Sequence, residues 1–322
     1  YKMAEIAVRM EDYNEAVELY KEFVKIAPHD LGRYVLKYKI YKGRGAALED
    51  QIAILEEYKS REYQEQWAYE LAELYYQDGQ LSKCVEECDD LILWFSEGEY
   101  VRKAMDEDGR LNRSRSTENS RLILALTAMG KDVTHVAGRN LLDGLDSMGF
   151  ITKQSVNGPV WALLALDSHV YPVSGDVTRE KLVQVILDAA LENGGWALTG
   201  TTADPDMTAM ALQGLAKYQD QKSVQSATDK ALTCLSKNQD SKGGYASWGT
   251  TNVESAAQVV VALCELGISL DDSRFVKSGH TLTENLLSFR QSNGGFYHVL
   301  DGSDGNNQMS AEQGFYALVA VS

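Results

Sequence analysis

The sequence predicts an all-α fold made of two arrays of repeated helix pairs, and three observations support this prediction. The chain has 322 residues, of which 44% are hydrophobic and only four are prolines, a composition typical of a folded, helix-rich protein. A period of about 34 residues runs through its first third. Glycine pairs followed by an aromatic residue recur in the remainder, and the length favours two domains of roughly 150 residues each.

The net charge of the chain restricts its partners. At −16, the protein would repel a nucleic-acid backbone unless a local basic patch overcame this field. We interpret the one basic patch as a solvated loop and helix start. Its residues are Arg110, Arg113, Arg115 and Arg121. No nucleic-acid partner is expected, and no membrane span is expected in this segment, because no apolar run approaches the ~20 residues that cross a bilayer.

The first third of the chain repeats a helix–turn–helix unit. Segments that begin at Tyr13, Leu48 and Leu81 align at steps of 35 and 33 residues. Apolar residues recur at helical spacing in each copy, and turns are predicted at 42–45 and 78–80. A single pair of helices is too small to bury its own apolar face, so neighbouring pairs must stack, which leaves a concave surface.

This segment resembles the tetratricopeptide repeat family over about three repeats, with a further helix beginning at 100–105. The resemblance implies a groove that binds a peptide or another protein. Its many tyrosines are interpreted as core or groove wall, and no catalytic constellation is present. Because the chain becomes glycine-containing and basic near 107–110, we predict a tetratricopeptide domain over 1–107 and a second domain over 108–322.

Glycine punctuation divides the second domain into a longer repeat, with steps of 40 to 51 residues. Each punctuation is followed by a polar loop and then by an apolar helix. These helices are predicted at 120–129, 160–166, 208–215, 255–266 and 311–320. Because they are apolar nearly all round, all five are expected to be buried. Amphipathic helices between them, such as 179–192 and 223–238, are expected to face solvent, which gives an α/α barrel.

Three motifs in this domain resemble the prenyltransferase and squalene-oxidase repeats of the α/α-toroid superfamily. They are Asn-Gly-Gly-Trp at 193–196, Lys-Gly-Gly-Tyr at 242–245 and Asn-Gly-Gly-Phe at 293–296. The superfamily includes class II terpene cyclases, protein prenyltransferase β subunits, complement thioester domains and cobalamin carriers. The resemblance therefore implies a fold but not a function. A full ring generally has more than five inner helices, so whether this toroid is closed or incomplete stays open.

Asp-Pro-Asp-Met-Thr-Ala at 204–209 is similar to the acid motif Asp-x-Asp-Asp-Thr-Ala of class II cyclases. The resemblance implies that Asp206 is a general acid that protonates an alkene, with Asp204 as its neighbouring carboxylate. Met207 stands where that motif has its last aspartate. The interpretation that we favour is that Asp204 or Asp206 caps the following helix, where negative charge is stabilising.

The sequence matches neither a zinc prenyltransferase site nor a thioester motif. A zinc prenyltransferase site needs an aspartate, a cysteine and a histidine, but the corresponding helix starts hold no cysteine at 252–256 and no histidine at 309–313. The Gly-Cys-Gly-Glu-Gln motif of thioester domains is absent. The four cysteines have no zinc spacing and are expected to be buried free thiols. No metal and no cofactor are predicted.

Polar residues at the inner-helix starts would lie on one face of a toroid and, with aromatic residues of the glycine loops, would line its mouth. The predicted ligand-binding residues are Asp204, Asp206, Trp196, Trp248, Glu254, Tyr297 and Glu312. The alternative, a set of helix caps around a filled core, is left open.

The sequence thus predicts a non-catalytic binding or interaction protein, with a protein or peptide partner in the tetratricopeptide groove and a small ligand in the toroid. A terpene-cyclase-like enzyme that uses Asp206 is the alternative. By analogy with where such toroids often occur, we expect a bacterial surface or secreted protein. The first residues resemble a helix interior, which suggests a segment of a longer chain.

Overall fold

The computed structural model of the chain describes residues 1–94, 110–136, 138–303, 305 and 307–322. Within these residues the protein is mostly helical and has one two-stranded sheet, so the predicted all-α class is confirmed. The chain forms two compact units, Tyr1–Leu111 with Ala125–Gly144 and Asn112–Leu124 with Leu145–Ser322. The predicted domain boundary at 107 and the predicted helix at 100–105 lie outside the described residues.

The first unit contains consecutive helix pairs that follow the sequence repeat. The pairs are α1 (Lys2–Arg9) with α2 (Tyr13–Ile26), α3 (Gly32–Gly43) with α4 (Leu48–Lys59), and α5 (Glu65–Gln77) with α6 (Leu81–Trp94). The second helix of each pair begins at one of the three residues from which the repeat is counted. Each helix packs against the next along the chain, so every pair covers the apolar face of its neighbour.

The same type of turn joins the two helices of each pair in the first unit. Glu11, Gly45 and Gly79 occupy equivalent positions and have φ angles of 61°, 68° and 77°. In each turn the next backbone amide donates to a carbonyl five residues earlier. These bonds are Asp12 to Ala7, Ala46 to Tyr41 and Gln80 to Tyr75, at 3.0, 3.0 and 2.9 Å. A left-handed residue followed by this bond ends a helix, and two of the three positions accordingly hold glycine.

Four tyrosines of the first unit are core residues, Tyr34, Tyr38, Tyr58 and Tyr75. Tyr38 and Tyr75 are buried, and their hydroxyls donate to Glu70 Oε2 at 2.6 Å and to Glu56 Oε1 at 2.7 Å. A buried phenol needs such a partner, because an unpaired hydroxyl in the core is destabilising. Tyr41, in contrast, is partly exposed and lines a groove described below.

Nine further helices and a hairpin follow in the described part of the chain. The first of these helices has residues in both units. They are α7 (Ser116–Ala128), α8 (Met148–Ile151), α9 (Asn157–Asp167), α10 (Arg179–Asp188), α11 (Pro205–Leu215), α12 (Lys222–Asn238), β1 (Ala246–Ser247), β2 (Thr250–Thr251), α13 (Val253–Glu265), α14 (Leu282–Ser288) and α15 (Gln308–Val321). Short 3₁₀ turns occur at Leu141–Leu145, Thr152–Gln154, Ala216–Tyr218 and Ser273–Phe275.

The core of the second unit lies between three of these helices. Helices α9, α11 and α13 are buried over most of their length, as their apolar sequences predict, and α11 packs against both of the others. Helix α12 buries one stripe and exposes its charged residues, the pattern of an amphipathic helix at the surface of a core.

The expected burial of the last helix is wrong. Helix α15 packs against α13, but it buries only small residues, Ser310, Gly314 and Ala317. Phe315 and Val319 remain 58% and 68% exposed. An all-round apolar sequence predicts burial only when other elements cover every face, and in the described part of the chain the outer face of α15 stays open to solvent.

Candidate functional site

The Gly-Gly-aromatic motifs fold into loops with one shared backbone pattern. In each loop an amide donates to the carbonyl of the second glycine. These bonds are Leu191 to Gly195 at 3.0 Å, Asp240 to Gly244 at 2.9 Å and Gln291 to Gly295 at 2.7 Å. Gly194 has a φ of 90°, and a Cβ atom there would lie 2.7 Å from the Lys230 carbonyl oxygen. Only glycine therefore fits this close approach.

The aromatic residue of each loop is a core residue and not a ligand contact. Trp196 is 0% exposed, and its Nε1 donates to the Ile186 carbonyl at 2.6 Å. Tyr245 and Phe296 are equally buried. Trp196, which was predicted to bind a ligand, therefore lies in the core and does not line the pocket described below.

Asp204 begins helix α11 as its N-cap. One of its carboxylate oxygens accepts from the Met207 amide at 3.0 Å, and Pro205 follows at a position where its missing amide leaves no bond unmade. The other oxygen accepts from the Ser247 hydroxyl at 2.5 Å. The capping interpretation therefore describes Asp204, which also ties the helix to the β-hairpin.

Asp206 lies two residues further along the chain, as the second residue of α11, and does not cap the helix. Its Oδ1 atom is buried, and no donor in the described residues reaches it in hydrogen-bonding geometry. Burial raises the pKa of Asp206 to about 6; the Ser255 hydroxyl nearby opposes this shift, while the negative charges of Asp204 and Glu254 add to it. The carboxyl group thus changes charge near neutral pH, which is unusual for an aspartate.

Glu254, at the start of helix α13, is a further acidic residue near Asp206. Its carboxylate is largely buried and accepts from the Ser310 hydroxyl at 2.5 Å. Its second oxygen lies 2.7 Å from His298 Nδ1. Glu254 thus joins the starts of α13 and α15 to the last glycine loop, and it acts on Asp206 through its charge rather than by contact with a ligand.

A pocket of about 690 Å³ opens beside Asp204 and Asp206. It is lined mainly by apolar side chains and a few polar groups. The lining residues include Asn157, Trp161, Leu198, Thr199, Thr202, Asp204, Pro205, Asp206, Met207, Met210, Ser247 and Trp248. Among the residues that line it in the described chain, the two aspartates are the only charged ones. Helices α9 and α11, the loop 197–203 and the hairpin β1–β2 supply its walls.

Trp248 is held at the edge of this pocket in an unfavourable backbone conformation. Ser247 and Thr250 pair across the hairpin, which leaves Trp248 and Gly249 as a two-residue turn with φ angles of 53° and 85°. Both turn positions require a left-handed backbone, for which Asn-Gly is the favoured pair. Trp248 is 88% exposed, so packing in the core does not account for a tryptophan here.

Two predicted ligand residues lie elsewhere in the second unit. Tyr297 is half-buried beside Gly302, and Glu312 is exposed and accepts from Gln308 Nε2 at 2.7 Å. Asp204, Asp206 and Trp248 are thus the predicted residues that the pocket brings together. Trp161 also lines the pocket but was not among the predicted residues, although a tryptophan one turn after polar Asn157 on an apolar helix is a detectable signal.

Comparisons of the chain with protein-family models, with curated proteins and with solved structures give no match.

A second, smaller pocket lies in the first unit, between helices α2 and α3. It has a volume of about 420 Å³. Its lining residues are Val17, Tyr20, Lys21, Lys37, Ile40, Tyr41, Arg44 and Ala46. The charged residues among them are all basic, and Lys37 Nζ lies 5.5 Å from the centre of the Tyr41 ring. This groove has the opposite charge to the pocket of the second unit.

Across the described ranges, no three His, Cys, Asp or Glu side chains converge as a metal site. No helix in the described chain combines the length and the apolar character that crossing a bilayer requires. None of the four cysteines forms a disulfide, and all four are half-buried, so they are less enclosed than expected.

Proposed function

We propose that the chain is a binding protein, with tetratricopeptide repeats followed by an α/α toroid whose pocket takes a small ligand. The pocket beside Asp206 and Trp248 carries this proposal. Pockets of a few hundred cubic ångströms with apolar walls and a small number of polar groups are the usual sites for small molecules. An exposed tryptophan in a strained turn at the edge is better explained by a ligand than by stability.

The repeat architecture is supported by local geometry in each unit. Equivalent turns at Glu11, Gly45 and Gly79 recur at the spacing expected of tetratricopeptide repeats. In the second unit, the three glycine loops share their hydrogen bonds, and buried helices alternate with amphipathic ones along the chain. This alternation is the pattern expected for the inner and outer helices of a toroid.

A neutral fluorescent probe tests the small-ligand proposal. We expect the full chain to bind the naphthalene dye prodan at one saturable site, with a blue shift of its emission, because the pocket offers apolar walls. Leu198→Asp should abolish this binding by placing a charge on the wall. Leu300 is similarly exposed and does not line the pocket, so Leu300→Asp should bind normally.

The proposal fails if prodan binds without saturation or if the two leucine variants lose binding equally. Native mass spectrometry of the purified full chain is an independent test, because a ligand that co-purifies appears as added mass.

The groove of the first unit favours a peptide or protein partner with negative charge. Lys37 and Arg44 line it together with two tyrosines and with Lys21, which already pairs with Glu18 at 2.7 Å, so it offers both ion pairs and an aromatic surface. A labelled peptide of alternating glutamate and phenylalanine should bind the full chain, and Lys37→Glu should weaken this binding. Lys25→Glu, on an exposed position of α2 outside the groove, is the matched control; equal weakening by both changes contradicts the assignment.

One observation favours a catalytic alternative. Asp206 lies in the pocket, does not cap its helix, and has a pKa raised by burial to about 6, so part of it carries a proton near neutral pH. A protonated carboxyl in an apolar pocket is what a cyclase-like general acid requires. Met207 in place of a further aspartate argues against this alternative, since no second carboxylate is available at that position.

Incubation of the full chain with a linear polyprenyl diphosphate tests the catalytic alternative. A cyclic product, detected by gas chromatography and mass spectrometry, should disappear in Asp206→Asn and persist in Asp220→Asn, which changes an exposed aspartate outside the pocket. If neither the unchanged chain nor the control forms a product, the alternative fails and the binding function stands.

A further inference from the structure

We propose that the pocket of the second unit selects an organic cation, with an ammonium group between the carboxylates and an apolar body against the walls. The inference rests on the proposed small-ligand function and adds the charge of the ligand. It follows from the side chains that line the pocket, from the presence of two aspartates with no basic residue among them, and from the position of the two tryptophans.

No described residue neutralises the negative charge of the pocket. Asp204 accepts hydrogen bonds from the Ser247 hydroxyl and the Met207 amide, both of which are neutral donors. No ion pair of Asp204 or Asp206 occurs in the described chain, and no basic residue is among those that line the pocket there. Buried carboxylates are normally paired with a cation, so a cationic ligand would supply the missing charge.

Two tryptophans provide the second half of a cation site. Trp161 and Trp248 both line the pocket, and tryptophan is the side chain that attracts a cation most strongly through its ring face. Trp248 remains exposed although its backbone would be more stable with asparagine or glycine. An indole kept at the edge of an acidic pocket suits a cationic ligand better than a neutral one.

A metal ion fits the pocket less well than an organic cation. In the described chain no third His, Cys, Asp or Glu joins the two aspartates as a ligand. Apolar walls such as Leu198 and Met210 offer no oxygen to a hard cation, but they cover the hydrocarbon part of an amine.

The charge of Asp206 makes the selectivity depend on pH. The titratable groups that face it are Asp204 at the start of its own helix and Glu254 on α13, and Glu254 in turn contacts His298 on the glycine loop. Ionised Asp206 attracts a cation and protonated Asp206 does not. Since the pKa of Asp206 is about 6, affinity for a cation should rise with pH through this value, whereas a neutral ligand should respond little.

Titration calorimetry of the full chain with two matched probes tests the inference. The probes are 1-naphthylmethylammonium and the neutral 1-naphthylmethanol, which have the same aromatic body. At about pH 8 we expect the ammonium to bind at least about tenfold more tightly. At about pH 5 this preference should shrink several-fold, because Asp206 takes up a proton. Asp206→Asn should reduce it to a similar extent at the higher pH, and Asp220→Asn should keep it.

Each outcome separates the two proposals. If neither probe binds, the small-ligand function itself fails. If both bind with equal affinity at about pH 8, the small-ligand function stands and the cation selectivity is overturned. His298→Gln should retain the pH dependence; if it is lost there and retained in Asp206→Asn, the assignment to Asp206 is wrong.

Discussion

Two side chains of the pocket are held in states that lower the stability of the fold. Trp248 has a left-handed backbone, which is unfavourable for residues other than glycine and asparagine. Asp206 has a buried carboxylate oxygen without a hydrogen bond from any described residue, which opposes ionisation. Both residues line the same pocket. Two unfavourable residues at one pocket are more consistent with a ligand site than with selection for stability alone.

Trp248→Asn should weaken ligand binding without lowering thermal stability. Asparagine tolerates the left-handed backbone, so we expect a gain of about 1 kcal/mol, while loss of the indole should reduce affinity for 1-naphthylmethylammonium several-fold. Differential scanning fluorimetry and calorimetry measure the two effects. Trp248→Ala also removes the indole but keeps the backbone strain, so it should lose affinity without the gain. A lower melting temperature for Trp248→Asn than for Trp248→Ala would contradict the argument.

Asp206→Asn should stabilise the protein above about pH 6. A carboxyl whose pKa is raised on folding stabilises the fold below its unfolded pKa and loses this contribution as pH rises through the folded value. With a shift from 3.8 to about 6, the unchanged protein should be less stable than the variant by up to about 3 kcal/mol at neutral pH. Below about pH 4 the two should agree.

Urea unfolding at several pH values measures this difference in the free energy of unfolding, and Asp220→Asn serves as the control because that residue is exposed. A difference between Asp206→Asn and the unchanged chain that is independent of pH would show that titration of Asp206 is not its cause.

Sequence patterns located the acid pair but could not assign separate roles to its members. Asp204 caps the helix and Asp206 lines the pocket, because an N-cap side chain turns back over the free amides of the first turn, whereas Asp206 is the second residue of the helix itself. Trp196 and Trp248 were predicted to act alike, yet one is buried and the other exposed. The physical difference is local: Trp196 follows two glycines into the core, while Trp248 precedes a glycine in a two-residue turn.

At the level of elements, the periodicity of the sequence predicted where the helices begin and end better than what they contact. Helices α11 and α13 occur close to the predicted ranges and are buried. Helix α15 also forms near its predicted range but exposes Phe315 and Val319. Hydrophobicity reports which faces could be buried, and the neighbouring elements decide which faces are buried.

Gly158→Ala should destabilise the second unit and disturb the pocket wall. A Cβ atom at Gly158 would lie 1.9 Å from the carbonyl oxygen of Ile151, so helix α9 would have to move. Overpacking of this kind typically destabilises by about 1–3 kcal/mol. Because α9 carries Asn157 and Trp161, prodan affinity should fall as well. Thermal denaturation and fluorescence titration measure these effects.

Gly214→Ala is the matched control for Gly158→Ala. Gly214 also lies within a buried helix, but its added Cβ would meet Val160 Cγ1 at an ordinary 3.6 Å. Alanine is favoured over glycine inside a helix by up to about 1 kcal/mol, so this change should leave stability equal or higher. If both alanine variants are destabilised equally, the contact with Ile151 is not the reason why position 158 holds glycine.

At the scale of the whole molecule, charge is the property that the sequence reports most directly. The net charge of −16 produces a negative field over the surface, which raises the local concentration of cations and repels anions. The basic groove of the first unit opposes this field. The acidic pocket of the second unit reinforces it. Their positions depend on tertiary packing, so composition alone could not reveal them.

Salt should slow the association of 1-naphthylmethylammonium more than that of 1-naphthylmethanol. The negative field steers only the cation, and raising the ionic strength from about 0.01 to 0.15 M shortens the screening length from about 30 to 8 Å. We therefore expect the association rate of the ammonium, measured by stopped-flow quenching of tryptophan fluorescence, to fall several-fold, and that of the alcohol to stay constant.

Asp206→Asn separates the long-range field from the local ion pair. The variant changes the net charge by one unit out of 16, so the salt dependence of the association rate should be nearly unchanged. Its dissociation rate should increase, because the short-range pairing in the pocket is lost. If the variant instead loses the salt dependence and keeps the slow dissociation, the pocket carboxylate steers the ligand but does not hold it, and the proposed contact between the ammonium group and Asp206 is wrong.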